Sequence, residues 1–240
     1  MEKHILWLLF LTGTIAQQGT HGGIWAQKSL FPKQTDTSYV ILKPLVSKAL
    51  NKLTVCLWSF QEFTRDFSLF SLATRQSDNA FLIYPVSETE YYVYIDGEGV
   101  KMKKDKDVLE WTHTCVSWDS ETGVIQLWVN GKRFPRKVAK KGASISSPAA
   151  IILGQEQDSF GGSFDAKQSF VGEISDVHMW DYVLSPEDIQ NVLSNKELSG
   201  NILSWRSLAY EIKGEVLILD KLQCKSPGYS SSLYVSCHNY

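Results

Sequence analysis

Val124-Ile125-Gln126-Leu127-Trp128-Val129, followed by Asn130-Gly131, is the clearest local signal in the chain. Ile125, Leu127 and Val129 recur at every second position, so in extended backbone they share one face, and that face belongs to a core. Asn130 and Gly131 both tolerate positive φ, which permits the tight turn of a β-hairpin. Working outward, the other apolar segments are built alike: short, rich in Val, Ile, Tyr, Phe and Trp, and separated by turn residues. Aromatic residues make up 12% of the chain, a content that suits strands better than a βα repeat. The expected fold class is therefore all-β, a two-sheet sandwich. One segment carries good helix signals. Ser185 can cap it, Pro186 suits the first helical position, and Glu187 and Asp188 complement the N-terminal dipole. The spacing predicts a helix near 185–194 with Ile189, Val192 and Leu193 facing inward.

The chain has 240 residues, 43% of them hydrophobic, enough to bury a full core in a single domain. Its formal charge is −2, and loss of a leader containing Glu2 and Lys3 leaves that balance unchanged. No whole-molecule field points to nucleic acid, so any polyanion binding is local. Met1-Glu2-Lys3-His4, the apolar run Ile5 to Leu11, and the small and polar residues through Thr14 and Ala16 have the layout of a signal peptide, expected to span 1–18. The apolar run falls far short of the roughly 20 residues that cross a bilayer as a helix. A secreted, extracellular protein follows, with a main domain over 19–221 and a C-terminal extension over 222–240.

Export makes disulfides the expected state of the four cysteines, which allow three pairings. Cys56 lies in the strand-like run Leu53 to Trp58 and Cys115 in the run His113 to Trp118, so the two can be neighbours in a sheet. That pairing closes a loop of about 60 residues, worth about 4 kcal/mol in the chain-entropy model. Cys224 and Cys237 are left to close a small loop in the tail or to join neighbouring protomers.

The most informative stretch for function runs Gly154-Gln155-Glu156-Gln157-Asp158-Ser159-Phe160-Gly161-Gly162-Ser163-Phe164-Asp165-Ala166-Lys167-Gln168. Glu156 and Asp158 are two apart, so their side chains point the same way, and like charges that close are unfavourable without a cation. Gly161 and Gly162 let the chain reverse, bringing Asp165 and Gln168 toward the first two carboxylates. An oxygen cage with neither His nor Cys suits calcium and not zinc. Solvated residues of a short acidic loop are the plainer account of this stretch taken alone.

Gln155 to Gly162, His113-Thr114-Cys115-Val116-Ser117-Trp118-Asp119-Ser120 and Asp78-Asn79 resemble the signature segments of the short pentraxin family. Further similar segments include Phe31-Pro32, Ser68-Leu69-Phe70-Ser71, Val171-Gly172-Glu173-Ile174, Met179-Trp180-Asp181, Val183-Leu184-Ser185-Pro186 and Trp205 to Glu215. The resemblance spans about 28–220 and implies a flattened jelly roll, concanavalin A-like, with one long helix. It also implies two calcium ions per protomer. Asp78, Asn79, Glu156, Asp158 and the backbone carbonyl of Gln157 would hold the first. Glu156, Asp158, Asp165 and Gln168 would hold the second. By the same resemblance the calcium grips an anionic oxygen of a phosphate or acidic sugar. The chain would then act as an innate-immune, acute-phase recognition protein, and as a homo-oligomer, expected to be a cyclic pentamer.

In the phosphocholine-binding branch of that family the pocket carries a small apolar notch and a carboxylate for the choline cation. The matching positions here are Tyr94 and Gly99, which argues against tight phosphocholine binding. Tyr84 and Tyr94 instead resemble a tyrosine pair that suits phosphoethanolamine or acidic galactose derivatives. Tyr91 and Tyr92 read as ordinary strand aromatics. Two basic clusters, Lys101 to Lys106 and Lys132 to Lys141, can meet polyanions such as heparan sulfate or DNA, although a solvated charged face accounts for most of them. The resemblance further pairs Arg136 with Glu173 and Lys141 with Glu215 across protomer interfaces. Positions matching the family's complement- and receptor-recruiting residues are Asn130 and Leu193, so weaker or different effector coupling is expected.

An enzymatic reading finds little support. A sandwich-fold glycoside hydrolase places two carboxylates on alternate positions of one strand, and Glu173-Ile174-Ser175-Asp176 lacks that alternation. No Gly-x-Ser-x-Gly, Walker loop or His-Glu-x-x-His occurs. His113 is expected to flank a disulfide and His178 to be a strand residue. A laminin G-like adhesion module is the alternative from the interaction class. No Asn-x-Ser/Thr sequon occurs either, so N-glycosylation is not expected.

Overall fold

The structure, a computed structural model, describes residues 27–61, 65–106, 111–196 and 198–221, with the backbone of 223–225 and 236–238. The leader at 1–18 lies outside the described residues. Strands run β1 (Gln27–Phe31), β2 (Tyr39–Lys43), β3 (Lys52–Phe60), β4 (Phe70–Thr74), β5 (Phe81–Ser87), β6 (Glu90–Ile95) and β7 (Glu98–Lys103). They continue with β8 (Thr112–Asp119), β9 (Val124–Val129), β10 (Lys132–Arg133), β11 (Lys137–Val138), β12 (Ala149–Leu153) and β13 (Gly172–Trp180). After helix α1 (Pro186–Leu193) come β14 (Leu203–Ser204), β15 (Ala209–Lys213), β16 (Leu217–Asp220), β17 (Gln223–Lys225) and β18 (Ser236–His238).

Two antiparallel sheets face each other. One has nine strands in the order β10-β9-β8-β3-β13-β1-β16, with β11 beside β9 and β14 beside β13. The other has seven, in the order β15-β2-β12-β4-β5-β6-β7. Consecutive elements repeatedly cross between sheets, as a jelly roll requires. The hairpin behaves as its sequence dictates: Ile125, Leu127 and Val129 are buried, Asn130 and Gly131 take φ of 47° and 77°, and Lys132 returns opposite Val129.

The central strands of the nine-stranded sheet are buried on both faces. Leu53, Val55 and Leu57 of β3 join the main core, while Cys56 packs on the outer face with Trp128, Trp180, Leu184, Ile189 and Val192. Helix α1 forms the cover there. The Ser185 hydroxyl accepts from the Asp188 amide, the Asp188 carboxylate returns to the Ser185 amide, and Pro186 opens the first turn, a cap of about 1 kcal/mol. Leu193, expected to face inward, is half-buried beside Gly131, because the helix ends there and its last turn lies over the hairpin rather than the sheet.

Cys56 and Cys115 are cross-strand partners on β3 and β8 and form a disulfide. Cys224 and Cys237 stand opposite each other in the register of β17 and β18. In β13 a bulge between Ser175 and His178 resets the alternation. Ile174 before it and Val177 and Met179 after it therefore all reach the core.

Candidate metal centre

Strand β12 lies inside its sheet, between β2 and β4, and delivers the acidic loop from a strand paired on both edges. Gly154 makes the exit. Its φ is +91°, and a Cβ there would stand 2.2 Å from Cε1 of the buried Phe31, so only glycine fits. Gln155 and Gln157 then point down into the protein. The Gln155 amide donates to the Ser38 carbonyl at 3.0 Å, and the Gln157 amide donates to the Ser71 hydroxyl at 3.1 Å and the Ala150 carbonyl at 3.2 Å. The other end of the Gln157 side chain accepts from the Gly161 amide at 2.9 Å. Gln157 thus ties the reversal at Ser159-Phe160-Gly161-Gly162, closed by Ser159–Gly162 backbone bonds, to the sheet beneath it.

With its two neighbours anchored below, Glu156 projects the other way and is nevertheless 2% exposed. The turn between β4 and β5 supplies the second side of the site. There the Asp78 carboxylate accepts from the Asn79 amide at 2.8 Å, and the Asn79 carbonyl accepts from Gly97. The Asn79 side-chain amide lies close enough to the Glu156 carboxylate to favour its charged form. Burial first, then the charges of Asp158 and Asp78, push the Glu156 carboxyl up to about 7, against the pull of Asn79. Asp78, Asn79, Glu156 and Asp158 are therefore brought together from two segments far apart in sequence.

Asp165 and Gln168 sit on the return arm. The Asp165 carboxylate accepts from the Lys167 amide and caps the single 3-10 turn Ala166–Gln168, while the Gln168 side chain lies near enough to the Tyr84 hydroxyl to influence it. Among the described residues, no three carboxylates bring oxygens within 4.8 Å of one another, as mutual repulsion dictates.

The fit of a hard cation is tested by what these oxygens lack. Glu156 Oε2 and Asn79 Oδ1 are buried acceptors without a hydrogen-bond donor. A buried acceptor left unpaired costs about 1–3 kcal/mol, more if charged, and a divalent ion repays it. The donor set holds only carboxylate and amide oxygens, the chemistry calcium takes.

The tyrosines flank this cluster on one sheet. Tyr84 of β5 is opposite Tyr92 of β6, and Tyr92 is opposite Lys101 of β7. Tyr84 is 8% exposed and donates to Asp66 at 3.0 Å; burial and that bond hold its hydroxyl protonated far above neutrality. Burial first, then Tyr92 and the Glu156 charge, raise the Tyr94 hydroxyl above its ordinary value. Its ring covers Gly99 and stands 6.0 Å from that of Tyr92. Tyr91 is a core residue, but Tyr92 shares the half-exposed face of Tyr94. Asp66 gave no local signal in the sequence, because it meets Tyr84 only through the fold.

Part of each basic cluster is paired with carboxylates, in contacts open to solvent. Lys101 pairs with Glu90 at 2.8 Å, Lys106 with Glu88 at 2.7 Å, Lys140 with Asp96 at 3.4 Å, and Lys132 with Asp105. Lys104, expected on a solvated face, is buried, its ammonium donating to the Asp105 carbonyl. Glu173 is held within its own chain by Lys28 at 2.5 Å, and Glu215 by Lys33 at 2.8 Å. The second pair is exposed and worth little, so it does not preclude exchange for another partner.

Residues 28–220 match the model of the Pentaxin family. The chain is 51% identical to C-reactive protein of Xenopus laevis over 99% of its own length and 100% of that protein. It is 38% identical to serum amyloid P-component of Mus musculus, over 91% and 97% respectively. A solved structure of a native heptameric SAP-like pentraxin from Limulus polyphemus superposes with a TM-score of 0.73 at 25% identity, over 82% of this chain and 96% of that one.

Proposed function

Because the chain belongs to the Pentaxin family, we propose that it is a secreted, calcium-dependent receptor for phosphate-bearing or acidic-sugar ligands, acting on multivalent surfaces as a cyclic oligomer. Membership makes it an innate-immune recognition protein and not an enzyme. We assign the recognition domain to 19–221, after a leader over 1–18, and the rest to an extension.

The observation that carries the proposal is the convergence of Asp78-Asn79 and Glu156 to Asp158, leaving Glu156 Oε2 and Asn79 Oδ1 as buried acceptors without donors. Asp78, Asn79, Glu156, Asp158 and the Gln157 carbonyl would hold one calcium ion; Glu156, Asp158, Asp165 and Gln168 would hold a second. Bound there, calcium supplies a positive centre for an anionic oxygen of the ligand. The four carboxylates balance two divalent ions, which removes the repulsion within the loop.

Tyr84, Tyr92 and Tyr94 would flank whatever the anionic group is attached to. Tyr84 is fixed by Asp66, so its position is set before a ligand arrives. With Tyr94 lying over Gly99, neither a notch nor a carboxylate is available for a choline headgroup. Phosphoethanolamine or an acidic galactose derivative fits better. Weak single sites gain roughly 10² to 10⁴ in avidity when an oligomer presents them together. A pentamer is our assignment; the related Limulus protein is heptameric.

Retention on immobilised phosphoethanolamine, phosphocholine and agarose, with calcium and then with chelator, tests the metal and the pocket together. Calcium-dependent retention, strongest on phosphoethanolamine or agarose and lost in Glu156→Gln, is expected. Equal retention in chelator would overturn it.

A further inference from the structure

The outer face of the nine-stranded sheet, away from the acidic loop's sheet, sets two sulfurs beside two imidazoles. Cys56 on β3 and Cys115 on β8 are cross-strand partners. His113 lies two residues before Cys115 and so on the same face, and His178 on β13 is the cross-strand partner of Cys56. His113 is 1% exposed, and its ring nitrogens stand 3.7 and 4.0 Å from Cys115 Sγ. One ligand atom from each of Cys56, Cys115 and His113 lies within 4.8 Å of the other two. His178 is engaged elsewhere, its Nδ1 accepting from the Gly200 amide at 3.3 Å.

Burial pushes the His113 pKa down to about 4, so at neutral pH the ring is uncharged and one nitrogen carries a lone pair. In the oxidised protein the sulfurs are poor ligands, because the thiolate is the form that binds metal. We propose that Cys56, Cys115 and His113 form a latent site that takes up Zn²⁺ once the Cys56–Cys115 disulfide is reduced.

The chemistry of the set distinguishes it from the acidic loop. Two thiolates and one imidazole select a soft or borderline ion such as zinc, whereas carboxylate and amide oxygens select calcium. Zinc holds sulfur at about 2.3 Å and nitrogen at about 2.0 Å, so the three atoms need small side-chain adjustments rather than a new backbone. Two thiolates and a neutral imidazole cancel the charge of the ion, which a buried site requires.

The reduction balances with a phosphine as reductant. Its phosphorus attacks one sulfur and the sulfur–sulfur bond breaks. Water then gives its oxygen to phosphorus, forming the phosphine oxide, and its two hydrogens to the two sulfurs. Zinc afterwards displaces both thiol protons to solvent. Helix α1 governs access, because Ile189, Val192 and Leu184 pack over the disulfide with Trp128 and Trp180. The reductant enters, and a solvent molecule reaches the fourth coordination position, when that cover lifts. Zinc then replaces the covalent link between β3 and β8.

The test uses the full chain with Cys224→Ser and Cys237→Ser, so that tail thiols contribute nothing, in buffer containing calcium. The protein is reduced with a trialkylphosphine, its thiols are counted, and Co²⁺ is added as a spectroscopic stand-in before competition with Zn²⁺. The expected result is about one cobalt per protomer with a sulfur-to-cobalt charge-transfer band, displaced by zinc. The oxidised protein and Cys115→Ser lose the band, and His113→Ala weakens binding by at least ~10-fold while keeping the sheet signature in circular dichroism. No band after both thiols are free, equal uptake by oxidised and reduced protein, failure of the phosphine to release the thiols, or loss of the sheet on reduction would each overturn the proposal. A band that survives His113→Ala unchanged would remove the histidine from it.

Discussion

Tyr94 lies across Gly99: a Cβ on Gly99 would stand 2.7 Å from Tyr94 Cε1, because the two residues are register partners on β6 and β7. A side chain at 99 and the present position of the ring exclude each other, so one contact links pocket shape to a single backbone site.

Gly99→Glu is accordingly expected to swing Tyr94 outward at small cost in stability. The clash is with a mobile ring and not with backbone, so the unfolding free energy should change by about 1 kcal/mol or less. The carboxylate and the opened notch together shift preference toward choline-bearing phosphates. Competition between phosphocholine and phosphoethanolamine for the immobilised protein reads the effect, and an unchanged ratio would count against it.

Gly154→Ala behaves oppositely. Its φ of +91° disfavours any L side chain, and Phe31 blocks the Cβ at 2.2 Å. Strain of about 1–3 kcal/mol and overpacking of similar size add, giving a loss of at least about 2 kcal/mol in urea unfolding. Calcium-dependent binding is expected to weaken in parallel, because Glu156 follows two residues later.

The two outer-face histidines produce an acid transition. Burial holds the pKa of both His113 and His178 at about 4 against an ordinary 6.5, although the Asp176 carboxylate pulls both upward. Between those values the unfolded chain binds more protons than the folded one, so stability rises with pH across the window and is withdrawn as pH falls. Each histidine contributes up to about 1.4 kcal/mol per pH unit. His178→Gln should flatten the dependence measured by denaturant midpoints from pH 4 to 7.

Glu156 gives a slope of the other sign. Its folded pKa of about 7 lies above the ordinary 4.5, so here the folded chain binds the extra proton and stability falls as pH rises between those values. The dependence belongs to protein kept in chelator, and Glu156→Gln should abolish it. A steeper slope in that variant would be inconsistent with a buried acid.

Much of this molecule was legible before the fold. Alternation exposed the β9 hairpin, and Ser185 with Pro186 marked the helix, since both signals are local. The acidic pair Glu156 and Asp158 was visible by spacing, but its companions Asp78 and Asn79 lie about eighty residues earlier, and only the family resemblance named them. Strand β3 gave no inside and outside, because α1 buries Cys56 on the face that a simple sandwich would wet. The Tyr84–Asp66 bond and the Tyr94–Gly99 contact depend on tertiary placement and register, which residue patterns do not set.

Strand β1 is hydrogen-bonded to β13 and β16, so the first strand to leave the ribosome waits for nearly the last. At about 5–20 residues per second, the roughly 190 residues between them take about 10 to 40 s to synthesise. Until β13 appears both edges of β1 stand open, and one stays open until β16 follows, inviting contact with other nascent chains in the same compartment. Closure of the nine-stranded sheet therefore waits for β16, and chaperone occupancy during export should persist until residue 220 emerges.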